Sequence, residues 1–331
     1  MDDSQSKLEK ALEIRGISRR DFLKYVGMLG VMTGLSESAI LKSLAQAAEQ
    51  GGSGKFPVVW LNGQDCTGCT ISLTGSLNPP VASLILDKLS IRYHETIMAA
   101  SGEVAESAYK DALKKGGYLL VVEGSIPEAD DRFCMIGGRP FKKIVKEAAA
   151  KASMIVAVGA CASFGGIPAA TPSRGMGVKK LLPEKTVINL STCPVHPEHL
   201  VGTIVQILTT GKAPELDENG RPKLYFGPVV HDNCKRRKNF DDSKFLKDWN
   251  DPAQKDYCLF EKGCKGPNTN SDCPVRLWND KTNFCIDCGA GCQGCSDPTF
   301  YGKMTPLYTS EGEVSRKILA KKQAGLISAK V

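Results

Sequence analysis

The chain has 331 residues, 42% of them hydrophobic and 24% charged, with a formal net charge of +7. This supplies apolar residue enough for one large or two ordinary domains. The charge is mild and dispersed, and no basic–aromatic recognition motif accompanies it, which excludes nucleic acid as a partner class.

In chain order, the first feature is an address. Ser18-Arg19-Arg20-Asp21-Phe22-Leu23-Lys24 matches a twin-arginine export signal, and the uncharged stretch Tyr25 to Ser36 follows it. That stretch is well short of the roughly 20 residues a membrane-spanning helix needs. Ala45-Gln46-Ala47 then offers the small-x-small pattern of a cleavage site. The alternative is an ordinary amphipathic helix with two adjacent arginines. Residues 1–47 are expected to be a twin-arginine signal peptide, and the mature chain to begin near Ala48 and work in the periplasm. No C-terminal transmembrane helix is expected, because Lys317, Lys321, Lys322 and Lys330 interrupt the apolar runs there.

From Phe56 onward, short apolar runs alternate with segments of helical spacing. The runs Phe56–Leu61, Tyr118–Val122, Met154–Gly159 and Val187–Leu190 predict buried strands. Segments near 103–115, 140–151 and 199–210 predict helices. The alternation implies an α/β fold built on a doubly wound parallel sheet, whose ligands sit beyond the carboxyl ends of the strands. Cys66 and Cys69 follow the first predicted strand, Cys161 the third and Cys193 the fourth. Four thiols at one sheet edge, in glycine-rich loops, are the number a cubane iron–sulfur cluster requires. The Cys66-x2-Cys69 pair taken alone suits zinc or a redox disulfide equally, and spacing leaves zinc open. Cys134 has no partner at ligand spacing and reads as a small buried hydrophobe, as does His94. His196 and His199 are read either as donors to cluster sulfurs or as part of a helix start around Pro197.

After Gly227 the apolar runs become short and broken, yet eight of the thirteen cysteines fall between 234 and 295. Thirteen thiols cannot all pair as disulfides, so metal ligation is the first hypothesis for them. A segment so poor in core residues needs a clamp, and inorganic clusters would supply it. His231-x2-Cys234, Cys258-x5-Cys264, Cys273 and Cys285-x2-Cys288-x3-Cys292-x2-Cys295 provide enough donors for two.

The order Cys66-x2-Cys69, Cys161, Cys193, His231-x2-Cys234, Cys258-x5-Cys264, Cys273-Pro274 and Cys292-x2-Cys295-Ser296-Asp297-Pro298 resembles the small subunit of periplasmic nickel–iron hydrogenases. Val122-Glu123-Gly124-Ser125-Ile126-Pro127 and Cys161-Ala162-Ser163-Phe164-Gly165-Gly166 extend the resemblance over essentially the whole mature chain. It implies a flavodoxin-like domain over 48–227 and an irregular iron–sulfur-binding C-terminal domain over 228–331. By the same resemblance Cys66, Cys69, Cys161 and Cys193 hold a proximal [4Fe–4S] cluster. His231, Cys234, Cys258 and Cys264 hold a distal [4Fe–4S] cluster, and Cys273, Cys292 and Cys295 belong to a medial one. Many members have a three-iron medial cluster and a proline in an Asn-Trp-Pro context. Here the stretch reads Asn283-Phe284-Cys285, a feature resembling the selenium-containing branch. Cys285 is therefore the expected fourth medial ligand, with [4Fe–4S] favoured over [3Fe–4S], Cys288 its rival, and Cys134 idle. Two departures stand out: Asp65 replaces the usual Glu, and Thr67-Gly68 stands where the oxygen-tolerant variant adds a cysteine. The six-cysteine proximal cluster is therefore not expected.

The resemblance implies an enzyme role as the electron-transfer small subunit of a heterodimeric hydrogenase. Electrons would pass between the nickel–iron centre of a large subunit and a periplasmic multihaem cytochrome c. Lys235, Arg236, Arg237 and Lys238 would give the exit site local positive charge. The alternative functions are a free-standing exported iron–sulfur electron carrier and a zinc-stapled secreted binding protein.

Overall fold

The computed structural model describes residues 55–76 and 80–300, with isolated positions at 27, 30 and 36. The twin-arginine motif, the cleavage pattern and the C-terminal lysines lie outside the described residues. Five parallel strands form one sheet: β1 Phe56–Asn62, β2 Leu89–His94, β3 Leu119–Glu123, β6 Met154–Val158 and β7 Val187–Leu190. The sheet order is β2-β1-β3-β6-β7, and β4 Met135–Ile136 with β5 Arg139–Pro140 form a separate small hairpin. The flavodoxin-like order is thus present, with its reversal point between β1 and β3.

The strands form where the sequence concentrates Val, Leu and Ile, and alternate β1 residues serve the two faces. Val59 and Leu61 pack into one buried cluster with Tyr109, Phe141 and Val145. Val58 and Trp60 pack into the other with Leu73, Leu200 and Ile204. Four helices cover these faces: α1 Gly68–Thr74 and α5 Pro197–Thr210 on one, α2 Gly102–Lys115 and α3 Phe141–Lys151 on the other. Full burial of each such Val, Leu or Phe contributes roughly 1.5–3 kcal/mol. Edge strand β2 has no counterpart among the predicted strands, because Leu-Ser-Ile-Arg-Tyr-His mixes polar and apolar residues on a strand with only one neighbour.

Strand register sets the geometry of the carboxyl edge. Asn62 pairs with Glu123, Glu123 with Val158, and Val158 with Leu190, so four strand ends lie in one row. Beyond Gly227 the chain is irregular, as expected from its composition. It holds 3₁₀ turns, the short helices Arg237–Asp241 and Cys273–Arg276, and isolated bridges such as Phe245–Cys258 and Trp278–Asn283. Its own apolar cluster joins Val230, Leu246, Leu259, Phe284 and Ile286 to Cys234 and Cys264. No helix among the described residues is long and apolar enough to cross a membrane.

Candidate metal-cluster sites

The row of strand ends delivers the first thiol group. After Asn62 the chain turns through Asp65, whose carboxylate accepts from Asn62 Nδ2 (2.6 Å) and the Thr67 backbone N–H (3.3 Å). Cys66 lies in this turn and Cys69 in the first turn of α1. After β6 the chain enters a short helix, α4 Gly159–Phe164, which places Cys161 in its first turn. Cys193 follows β7 and precedes a cis proline, Pro194. Gly159 has φ +81°, and a Cβ there would sit 2.5 Å from Cys69 Sγ, so only glycine lets α4 approach this thiol.

These thiols lie near enough to one another to act on each other's ionisation. Burial pushes the Cys69 pKa far up, and Glu123, Cys193 and Cys161 raise it further. Burial, then Cys193 and Cys66, push Cys161 up to about 12. Burial and Cys66 raise Cys193. Crowded buried thiols resist ionisation on their own, and bound iron, being cationic, would reverse that preference. The Val195 backbone N–H already points at Cys69 Sγ (3.3 Å), a donor of the kind that stabilises cluster sulfur.

Glu123, to which the sequence pattern assigns no role, sits at the centre of this edge and is fully buried. It accepts from Trp60 Nε1 (3.0 Å), the backbone N–H of Cys69 (3.0 Å) and Thr70 (3.2 Å), and the Thr70 hydroxyl. A glutamate closing the apolar run Leu119–Glu123 was the available signal.

Two further groups lie in the irregular part. His231, Cys234, Cys258 and Cys264 line one small pocket, together with Phe260 and Pro267. Burial pushes Cys258 up to about 12; the Phe260 N–H opposes this, and Cys264 and Cys234 add to it. The Arg236 N–H lies 3.4 Å from Cys234 Sγ and the Cys292 N–H 3.3 Å from Cys264 Sγ.

The third group is Cys273, Cys285, Cys292 and Cys295. Burial raises Cys295, followed by Cys273, with Cys193 and Cys285 adding smaller amounts. Burial likewise raises Cys292, then Cys264, Cys295 and Cys273. Burial also raises Cys273, with Cys285 among its charged neighbours, while Cys288 acts on Cys285. Among the described residues, no three or more His, Cys, Asp or Glu side chains close on a point as they would around a single ion.

The remaining sequence candidates have other tasks. His196 caps α5, its Nδ1 accepting from the Glu198 N–H (3.1 Å), and its Nε2 meets the Leu277 carbonyl (2.6 Å). The helix-start reading is the one the geometry carries. His199 Nε2 pairs with Asp272 Oδ1 at 2.7 Å. Cys134 packs against the core and His94 is buried, stacked on Trp60. Arg236 is not a free surface cation: its guanidinium donates to the Tyr257 carbonyl (2.7 Å).

Residues 66–207 match the family described as NADH ubiquinone oxidoreductase, 20 Kd subunit. Residues 226–308 match the family described as the C-terminal part of the NiFe/NiFeSe hydrogenase small subunit. The periplasmic [NiFe] hydrogenase small subunit of Solidesulfovibrio fructosivorans is 44% identical over 305 residues, spanning 91% of this chain and 95% of that one. The chain belongs to the nickel–iron hydrogenase small-subunit family. A periplasmic [NiFe] hydrogenase small subunit of Nitratidesulfovibrio vulgaris is 41% identical over 309 residues, 91% of this chain and 96% of its own length. The reduced, active Ni-Fe-Se hydrogenase of Desulfomicrobium baculatum superposes with a TM-score of 0.73 at 36% identity, covering 78% of this chain and all of that one. This hydrogenase small subunit is thus an electron-transfer subunit in a family that binds iron–sulfur clusters.

Proposed function

We propose that this small subunit relays electrons through three iron–sulfur clusters between the nickel–iron centre of a large subunit and a periplasmic multihaem cytochrome c. Cys66, Cys69, Cys161 and Cys193 would hold the proximal [4Fe–4S] cluster, and His231, Cys234, Cys258 and Cys264 the distal one. Cys273, Cys285, Cys292 and Cys295 would hold the medial [4Fe–4S] cluster. The observation that carries this reading is that the three donor groups adjoin one another in series. Cys193 of the first acts on Cys295 of the third, and Cys292 of the third donates its N–H to Cys264 of the second. When bound, the clusters supply one-electron redox steps. The chain supplies their spacing, amide hydrogen bonds to sulfur, and burial, which together tune potential.

Large-subunit docking is assigned to the sheet edge that carries the first group. Ile71, Ile97 and Ile167 lie in the segments that follow the carboxyl ends of β1, β2 and β6 and are 42–63% exposed, apolar surface that a partner would cover. Domain division near 227/228 and export of the folded, loaded protein by the twin-arginine route belong to the same reading. Co-purification tests it. A larger nickel-bearing partner and about twelve irons per small subunit are expected. A monomeric brown protein would instead mark a free-standing carrier, and a colourless zinc protein would end the iron–sulfur reading.

A further inference from the structure

The loop between Cys273 and Cys285 holds an unusual backbone. Leu277, Asn279, Asp280 and Lys281 all have positive φ, between 52° and 61°, and none is glycine. Side chains other than glycine avoid this region, so such a run persists only when its surroundings over-determine it. Internal contacts close the loop on itself. Trp278 N–H donates to the Asn283 carbonyl (2.7 Å), Thr282 N–H returns to the Trp278 carbonyl (3.0 Å), and Asn279 Nδ2 reaches Asn283 Oδ1 (3.1 Å).

The loop packs Leu277 and Trp278 against the C-terminal apolar cluster on one side and is tied to α5 on the other. The His196 ring lies 4.5 Å from that of Trp278. Because His196 Nδ1 accepts from the Glu198 N–H, the ring proton sits on Nε2 and is donated to the Leu277 carbonyl at 2.6 Å. Burial, aided by His199, pushes the His196 pKa down to about 3, so this neutral tautomer persists at working pH. Just upstream, Asp272 is held by His199 (2.7 Å) and by Arg276 (2.7 Å), and Arg276 also reaches Glu198 at 2.8 Å. The Cys273 end is therefore pinned by ion pairs. At the other end Phe284 and Ile286 are buried on either side of Cys285, and between the two ends His196 is the side chain of α5 that holds Leu277 and Trp278.

We infer that His196 is a positioning residue for the medial cluster: through Leu277 and Trp278 it holds the strained loop that presents Cys285 as the fourth ligand. This rests on the medial assignment proposed above. His196 also lies just beyond Cys193 in the chain, so the same side chain ties the proximal group to the medial one. Without the anchor the loop relaxes toward ordinary φ values, Cys285 withdraws, and the cluster loses the iron that only Cys285 holds.

The test is electron paramagnetic resonance on the anaerobically purified, oxidised heterodimer. His196→Asn keeps a good helix cap for α5 but is too short to reach Leu277, which separates folding from loop anchoring. Trp278→Leu attacks the same contact from the loop side. Both variants should show a three-iron signal at least tenfold above wild type, with one iron fewer per heterodimer and unaltered proximal and distal signals. Cys285→Ser is the reference for a lost fourth ligand. If that variant gives the signal while His196→Asn and Trp278→Leu retain the wild-type medial spectrum, the inference is overturned and the medial assignment stands. Should only one of the two accumulate, that one decides. A strong three-iron signal already present in wild type and unchanged by Cys285→Ser would overturn the medial assignment, and the role of His196 with it.

Discussion

Glu123 is a buried carboxylate surrounded by donors rather than cations. Burial raises its pKa, and the neighbouring hydrogen bonds oppose that rise. Its protonation state follows from its neighbours. His94 Nδ1 accepts from the Thr96 N–H, so His94 Nε2 carries the proton and donates to Thr70 Oγ1. The Thr70 hydroxyl must then donate to Glu123, which accepts from every partner and is held as the anion. Glu123→Gln would turn an amide N–H₂ against these donors and should cost about 1–3 kcal/mol. Removing a negative charge beside Cys69 should also raise the proximal cluster's potential, because the reduced cluster is the more negative form. A redox titration showing no upward shift would refute this charge assignment. His94 gives a pH prediction. Burial drives its pKa down to about 4 from 6.5, so between those values the unfolded chain binds the extra proton. Stability contributed by His94 is present above pH 6.5 and is lost as pH falls toward 4, by on the order of 3 kcal/mol. Glu95, raised to about 7 first by desolvation, runs in the opposite direction over much of the same pH range. His94→Gln should therefore gain thermal stability relative to wild type as pH falls from 6.5 to 4, and parallel profiles would count against a neutral buried His94.

The turns from strand to helix carry the donors, and glycine decides how closely those turns pack. Gly159 and Gly138 both have positive φ, +81° and +75°, so alanine at either should cost about 1–2 kcal/mol in backbone strain. A Cβ at Gly138 meets nothing within 4 Å, whereas one at Gly159 collides with Cys69 Sγ. Gly159→Ala should therefore lose proximal iron in addition to stability, and Gly138→Ala should lose stability alone. Iron analysis and thermal melts on the two variants distinguish them, and equal iron content would remove the claim. Much of this level was legible in the sequence. Strands β1, β3, β6 and β7 are short apolar runs rich in Val, Leu and Ile, and α2, α3 and α5 have clear helical spacing, so element type and chain order followed directly. Strand β2 did not, because at a sheet edge it mixes exposed Arg92 with apolar residues and buries a polar one, His94. The Arg276–Glu198 ion pair did not either, since a contact between residues 78 positions apart leaves no local pattern. The cysteine spacings marked the donor groups, but the 277–281 backbone has ordinary residue types and carries no warning in composition.

At the scale of the whole molecule, the question is how charge meets an acceptor at the end of the series of donor groups. The run Lys235-Arg236-Arg237-Lys238 suggests a positive exit face, but the structure pairs most of that charge. Lys235 bonds Asp287 (2.8 Å), Arg237 bonds Asp241 (3.0 Å), Lys238 bonds Asp242 (3.0 Å), and Arg236 is turned inward to the Tyr257 carbonyl. Charge reversal at Arg236 would disturb the Cys234 turn, so it would confuse docking with distal-cluster assembly. The cleaner manipulation removes the masking carboxylates. Asp241→Asn with Asp242→Asn removes two negative charges and takes from Lys238 and Lys244 the carboxylate they share, while leaving all four distal donors and Arg236 untouched. Exposed pairs contribute little to stability, so the fold should not respond. The field should respond, because at ~10 mM ionic strength the Debye length is about 30 Å and excess positive charge steers an approaching anion. Reduction of a small anionic acceptor should then speed up roughly threefold at low salt, and that of a cationic dye should slow. Both should converge on wild type near 1 M salt, where the Debye length is about 3 Å. Stopped-flow reduction by the hydrogen-reduced heterodimer across a salt series would measure this. Identical salt slopes for the variant and wild type would show that acceptors take electrons elsewhere than at the 235–242 face.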